Sequence, residues 1–400
     1  MIVLGDVHLT TKTPRAVGRD LARLLAAHPG ERVVACGDLF DVSADLPDAP
    51  PHRAMAAALE AHPEARRALG EHLDRGGELL LVAGNHDAFL GAPGAPAAVA
   101  EALGVSGAAR DRIAATPWFV RDEGLHLEHG HLYDEDNAPE HPLIEGEPSL
   151  GVHFVRSFIA PTGAFAYLEA NDDTPLRLFL SAFRWYGPRG PYVVYRYFRA
   201  AFEAMARSGP LYRAHHERGL GDEVMEAFAR EAGVSRELAE AVLAQAAVST
   251  LKDTRATVSR LYFDRVVATL ATTAGLSALA AGRRSATTRV AGSALLALGL
   301  GWLAATWLVR FDRFGGTVPE RLRAGAARVR AATGASMVVF GHAHREALED
   351  GYANTGSFAF PGRAPGRPYL AIEVGPQPVL ARRYLPREDG ARDAGSPTGP

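Results

Sequence analysis

Two residue types are almost missing from this chain. Cys36 is the only cysteine, and lysine occurs only at Lys12 and Lys252. One cysteine excludes an internal disulfide, so a reducing compartment is expected. Cys36 ends the strand-like run Arg32-Val33-Val34-Ala35-Cys36 and reads as core. Nearly all positive charge is arginine, which we take as composition bias, so an isolated arginine is weak ground for a binding site. Net charge is small, with 43 Lys and Arg against 46 Asp and Glu. No nucleic-acid partner is expected on that basis. Met1-Ile2-Val3-Leu4 runs straight into Gly5-Asp6, without the charged and apolar regions of a secretory signal. No phosphate-cradling P-loop, Ser/His/Asp elbow or CxxC zinc pattern occurs.

What is present is ample apolar material: 47% hydrophobic residues over 400, enough for one large domain or two ordinary ones. Short apolar runs at Met1–Leu4, Arg32–Cys36, Glu78–Ala83 and Leu125–Glu128 alternate with helical stretches such as Val17–Ala27 and His52–Arg75. That is an α/β pattern. It stops near Leu150. Only helical signals follow to about Val318, including an amphipathic pair over 222–247 broken at Gly233. Its "VSRELAEAVLA" faintly resembles a helix-turn-helix, a match common by chance. Strand signals return at Met337 and continue through Tyr369–Val374 and Val379–Tyr384. The expected organisation is a first catalytic part over 1–150, a helical insertion over 151–317, a second catalytic part over 318–385 and a disordered tail over 386–400.

Each strand-like run ends in polar groups, where open α/β sheets place their sites. The motifs are Asp6-x-His8, Gly37-Asp38-x-x-Asp41, Gly84-Asn85-His86-Asp87, His129-Gly130-His131 and Gly341-His342-x-His344. Each alone is weak, and a single such histidine reads as easily as a cap or a surface residue. Five in this order after five strands are strong. His342 and His344, two positions apart after an extended run, should face one side and suggest a metal. The nine other histidines, among them His28, His52, His62 and the His215–His216 pair, read as surface positions. "HGHLYDEDNAP" adds Tyr133, Asp134, Asp136 and Asn137, readable equally as pocket lining or as turn chemistry.

The motif set resembles the calcineurin-like metallophosphoesterase family over about 1–135 and 335–385, including Asn354-Thr355-Gly356. The resemblance implies a four-layer α/β/β/α sandwich and hydrolysis of a phosphate ester or pyrophosphate. It implies two divalent ions, with manganese first and iron or zinc next. Such a pair offsets the phosphate charge, orients it and acidifies a bound water. On matching positions, Asp6, His8 and His344 would hold the first ion. Asn85, His129 and His342 would hold the second, with Asp38 bridging. His86 would serve the leaving group with Asp87 at its back. Asp41 would orient a ligand from behind, and His131 would reach the phosphate or flank His129.

The insertion contains Val290–Val309, 20 residues without a charge, and Val266–Gly282, 17 more, joined by "RRSATTR". Both approach the length of a bilayer crossing. A transmembrane hairpin over 266–309 is the expectation. A buried helical pair in a soluble cytoplasmic protein is the alternative. Two crossings keep Asp6 and His342 on one side, as a shared site demands; we expect the catalytic domain in the cytoplasm. The insertion's placement is similar to that in UDP-2,3-diacylglucosamine pyrophosphatases, which makes a lipid-linked substrate attractive although the insertion's residues do not match. "FRWYGPRGPYVVYRYFR" over 183–199 mixes arginine with aromatic rings, as at a headgroup interface or on a partly buried helix. Competing expectations are a soluble protein phosphatase or cyclic-nucleotide phosphodiesterase, and a non-catalytic metal-binding scaffold at the membrane.

Overall fold

The computed structural model describes residues 1–144, 148–163, 183–211, 218–282, 285–308 and 317–387. Of the sequence expectations, the tail beyond residue 387, the His215–His216 pair, and Arg283, Arg284 and Val309 lie outside the described residues. The chain divides into two units. One is Met1–Ala166 with Arg213–Ser249 and Thr317–Pro400, and the other is Tyr167–Tyr212 with Thr250–Gly316.

The first unit is α/β with two mixed sheets. Its strands are β1 (Ile2–Leu4), β2 (Arg32–Cys36), β3 (Glu78–Val82), β4 (Ile113–Thr116), β5 (Phe119–Asp122), β6 (Leu125–Glu128), β7 (Met337–Phe340), β8 (Ala347–Glu349), β9 (Tyr352–Asn354), β10 (Arg367–Glu373) and β11 (Val379–Leu385). One sheet runs β11-β10-β1-β2-β3-β4 and the other β5-β6-β7-β9-β8. Strands β1 to β4 are mutually parallel, as are β6, β7 and β9. Parallel strands bury both faces, which is why β2 and β3 read as continuous apolar runs rather than as alternation.

The layers follow from the cores. Val3, Val34, Cys36 and Val82 of the first sheet pack against Leu125, Leu127, Val339 and Ala353 of the second. The first sheet's outer face carries the helices Arg15–Ala27, Pro51–Ala61, Pro63–Asp74 and Ala95–Leu103 through Leu21, Met55, Leu69 and Val99. The second sheet's outer face carries Arg218–Glu231, Arg236–Leu243 and Thr317–Thr333 through Phe228, Val242 and Leu322. Each fully buried Leu, Val or Phe contributes roughly 1.5–3 kcal/mol before entropy is counted.

Several boundaries depart from the sequence reading. His52–Arg75 is two helices because Pro63 lacks an N–H and forces His62 to φ −121°, ψ 65°. Residues 218–243, assigned to the insertion, belong to the first unit. Gly233 at φ +65° ends the first of these helices and the Ser235 hydroxyl caps the next through Leu238 N–H. Their apolar faces are spent against Trp118 and Phe119. Strand β4 passed unread because Ala114 and Ala115 carry little strand signal. Of the nine histidines read as surface positions, His62, His72, His126, His141 and His153 are buried.

In the second unit, Phe263–Ala281 and Ala286–Leu308 pair as an antiparallel hairpin over the two uncharged runs. A Cβ on Gly275 would stand 2.6 Å from the Leu296 nitrogen, so only glycine lets the two backbones approach this closely. Gly190–Met205 and Thr254–Arg260 also belong to this unit.

Candidate metal centre

The five motifs converge at one edge of the first unit. Asp6 and His8 follow β1, Asp38 follows β2, Asn85 and His86 follow β3, His129 follows β6, and His342 and His344 follow β7. None of the metal-ligand candidates lies inside a strand. Asp6, His8, Asp38, His342 and His344 all have positive φ, between 45° and 66°. Only Glu123 and Tyr262 share that property among the described non-glycine residues. A left-handed residue costs roughly 1–2 kcal/mol, though Asp and His tolerate it better than most. Concentrated strain of this kind marks functional sites. It also corrects the reason for the His342–His344 pairing. The two rings are aimed by a bend rather than by strand alternation, and they go to different partners.

In one cluster, His8 Nε2 and His344 Nε2 stand 3.1 Å apart, and Asp6 Oδ1 lies 3.2 Å from the latter. Asp6 is fully buried, and its Oδ1 has no hydrogen-bond partner. In the next, His129 Nε2 is 3.1 Å from both Asn85 Oδ1 and Asp38 Oδ2, and His342 completes the group. Asp38 Oδ2 also lies 3.9 Å from His8 Nε2, so this carboxylate stands between the clusters.

The hydrogen bonds behind the rings explain why lone pairs face inward. His129 Nδ1–H donates to the Cys36 carbonyl at 2.9 Å, which leaves Nε2 bare. His8 Nδ1 faces Asp41 Oδ2 at 3.4 Å, again leaving Nε2. His342 Nε2–H donates to Asp134 Oδ2 at 3.0 Å, which leaves Nδ1. With the proton of His129, His8 and His342 held on the far nitrogen, their bare nitrogens and the Asp6 and Asp38 oxygens face one another, an arrangement a cation between them would relieve. The unpartnered Asp6 oxygen fits that arrangement, and so does the donor set of imidazole, carboxylate and amide oxygen.

Asp41, His8 and His86 also lie close enough to hold an ion. Here the geometry is hydrogen-bonded instead: His86 Nδ1–H donates to Asp41 Oδ1 at 2.9 Å. Asp41 therefore stands behind His86. Asp87, expected there, accepts backbone N–H groups of Asp38, Phe40 and Gly84 at 2.8–3.2 Å and is fully buried. It braces the loops after β2 and β3 against each other, and the partner of His86 Nδ1 is Asp41. Burial and the Asp38 charge push its carboxyl up to about 7 against those donors. Burial alone would lower His86, but the Asp41 and Asp38 carboxylates outweigh it and hold the ring above the ordinary histidine value. His131 is buried beside His129 and His342, ring centroids 5.4 and 6.4 Å away, and its Nδ1 has no partner. Burial and those two rings hold it well below the ordinary value.

Glycines before the ligands supply room. A Cβ on Gly37 would overlap the His129 ring, one on Gly84 would overlap the Asp38 carboxylate, and one on Gly341 would come within 2.9 Å of Asp6 Oδ2. Three contributors read from the sequence only as pocket lining or turn (Asp134, Asn137) or as part of the family resemblance (Asn354), with no partner assigned. Asp134 orients His342, and Asn137 accepts from Asn85 Nδ2 at 3.3 Å while donating to Asp134 at 2.7 Å. Asn354 donates to the Gly341 carbonyl at 2.6 Å and accepts the Gly356 N–H, bracing the bend that carries His342. The motif context flagged all three, but no spacing rule could say which ligand each would meet.

No protein-family model matches this chain, and no curated protein matches it.

Proposed function

We propose that this chain is a dinuclear metal-dependent hydrolase of phosphate esters or pyrophosphates, built as a metallophosphoesterase α/β/β/α sandwich. The observation that carries the reading is the pair of facing clusters joined at Asp38. Asp6, His8 and His344 would hold one divalent ion, and Asn85, His129 and His342 the other. Manganese is the first candidate, with iron or zinc next. Such ions would supply positive charge against an anionic phosphate and acidify a bound water.

The chain's own residues do the rest. His86 stands over this centre, its ring centroid 5.2 Å from that of His8. With Nδ1 bonded to Asp41, its Nε2 is the atom that delivers a proton to the leaving oxygen. Asp41 fixes the tautomer and stabilises the protonated ring. A scaffold that only binds metal has no use for this pair, which favours catalysis. The test is hydrolysis of p-nitrophenyl phosphate, its bis-ester and a nucleotide-sugar pyrophosphate with manganese present. Asp38→Asn, or chelation, is expected to abolish turnover of whichever substrate is cleaved. Undiminished turnover after either change would reject the dinuclear mechanism.

A further inference from the structure

We propose that the hairpin Phe263–Ala281 and Ala286–Leu308 crosses a lipid bilayer, with its connection on the side opposite the metal centre.

The surface of Ala286–Leu308, the helix long and apolar enough to cross a membrane, is apolar nearly all the way round. At about 100° per residue, exposed Val290, Leu298, Trp302, Trp307 and Leu300 fall near 0°, 80°, 120°, 260° and 280°. Only the arc near 180–200°, holding Gly299 and Gly292, is buried, and it faces the first helix. A protein partner covers one stripe of a helix. A second copy of this chain would likewise leave most of this circumference wet. Monomers in water rarely expose an apolar patch beyond a few hundred Å². A bilayer covers every direction at once.

Three further features fit lipid. The seam is made of small residues, with Gly275, Gly292 and Gly299 bringing the backbones together as membrane helices do when the solvent itself is apolar. Four threonines spend their hydroxyls on the preceding turn: Thr269 on Arg265, Thr272 on Ala268, Thr273 on Thr269 and Thr306 on Leu303, at 2.8–2.9 Å. Ala286–Leu308 has 23 residues, about 34 Å of helix against a hydrocarbon core of roughly 30 Å.

The ends are complementary to headgroups. The connecting sequence carries Arg283, Arg284 and Arg289, and no acidic residue occurs between Asp264 and Asp312. That matches anionic phospholipids. At the other end, Trp302 Nε1–H donates to Asp264 at 3.0 Å, and the Phe202 ring sits 4.8 Å from that of Phe263. Tyr195 and Phe202 are exposed beside them on Gly190–Met205. Aromatic rings with polar tips collect at this depth. Two crossings return the chain to the side it left, as the meeting of His129 with His342 requires.

The full-length protein is to be mixed with vesicles of phosphatidylcholine and phosphatidylglycerol, floated, and washed in alkaline carbonate. Retention through the wash is expected. Leu298→Asp should lower retention on the order of a hundred-fold, the cost of a charge in the hydrocarbon. Release of the unaltered protein, as a monomer or as a detergent-free dimer, would overturn the proposal. Ser285→Cys and Ser106→Cys, read with an impermeant maleimide on intact cells, give the topology, since Cys36 is buried. Labelling of one and not the other is expected. Labelling of both, or of neither until lysis, would place the connection beside the catalytic unit and overturn the crossing. These readouts report location alone, so a failed hydrolase assay leaves them intact.

Discussion

Asp134 Oδ2 lies 3.0 Å from His342 Nε2, and the same oxygen accepts from Asn137, whose own oxygen holds Asn85. One loop therefore sets two side chains of the second cluster that come from different sheets. Burial would raise the Asp134 carboxyl, but the His342 ring outweighs it and holds it down to about 2. Asp134→Asn keeps the shape and loses the charge. Metal affinity at this cluster should fall about 10–100-fold, while the Asp6 cluster keeps its affinity. Calorimetric titration with manganese separates the two; equal loss at both would show a general defect.

Gly37 is the second lever. Alanine there meets the His129 ring and must also hold φ +82°. On the proposed dinuclear reading, bound metal, read by elemental analysis, should drop from two ions per chain toward one. Gly30→Ala is the control, since Gly30 has φ +74° and nothing near its Cβ position. It should cost only backbone strain, about 1 kcal/mol, with metal content unchanged.

A buried ion pair ties the segment after Asn354 to the first helix. Arg367 Nε donates to Asp20 Oδ2 at 2.5 Å, and its Nη1 donates to the Phe358 and Ala359 carbonyls. Both side chains are buried. Asp20→Ala leaves a guanidinium uncompensated and should cost about 3–5 kcal/mol by denaturant unfolding. Asp20→Leu with Arg367→Met should cost less than the single change, and a double variant as unstable as Asp20→Ala would contradict this account.

Stability should decline in mild acid through two buried histidines outside the strand-end motifs. Burial lowers both His62 and His72, against the raising pull of the Thr10 and Glu31 carbonyls. The folded state then takes up protons less readily than the unfolded chain. The contribution is complete above the unfolded value of about 6.5 and is lost as pH falls from there through the folded values. His62→Gln keeps a donor for the Thr10 carbonyl but cannot titrate. With chelator present throughout, its unfolding free energy should vary less steeply with pH below neutrality. An unchanged slope would remove His62 from the account.

The sequence by itself determined the strand-end motifs, the α/β alternation and the two uncharged runs. These depend on local chemistry: apolar runs that bury both faces, glycine before a crowded residue, and charge-free stretches of fixed length. What it could not determine was which partner each side chain meets. Asp41 and Asp87 are equally plausible behind His86 in one dimension, and only the fold gives His86 to Asp41 and three backbone N–H groups to Asp87. Residues 218–243 carry the same helical signal whether they cap a sheet or extend an insertion. The choice was made by Trp118 and Phe119, about a hundred residues earlier in the chain, which offer them an apolar face. Periodicity is written in neighbours along the chain, whereas packing and hydrogen-bond partners are set by residues far apart in it, and tertiary structure alone brings those together.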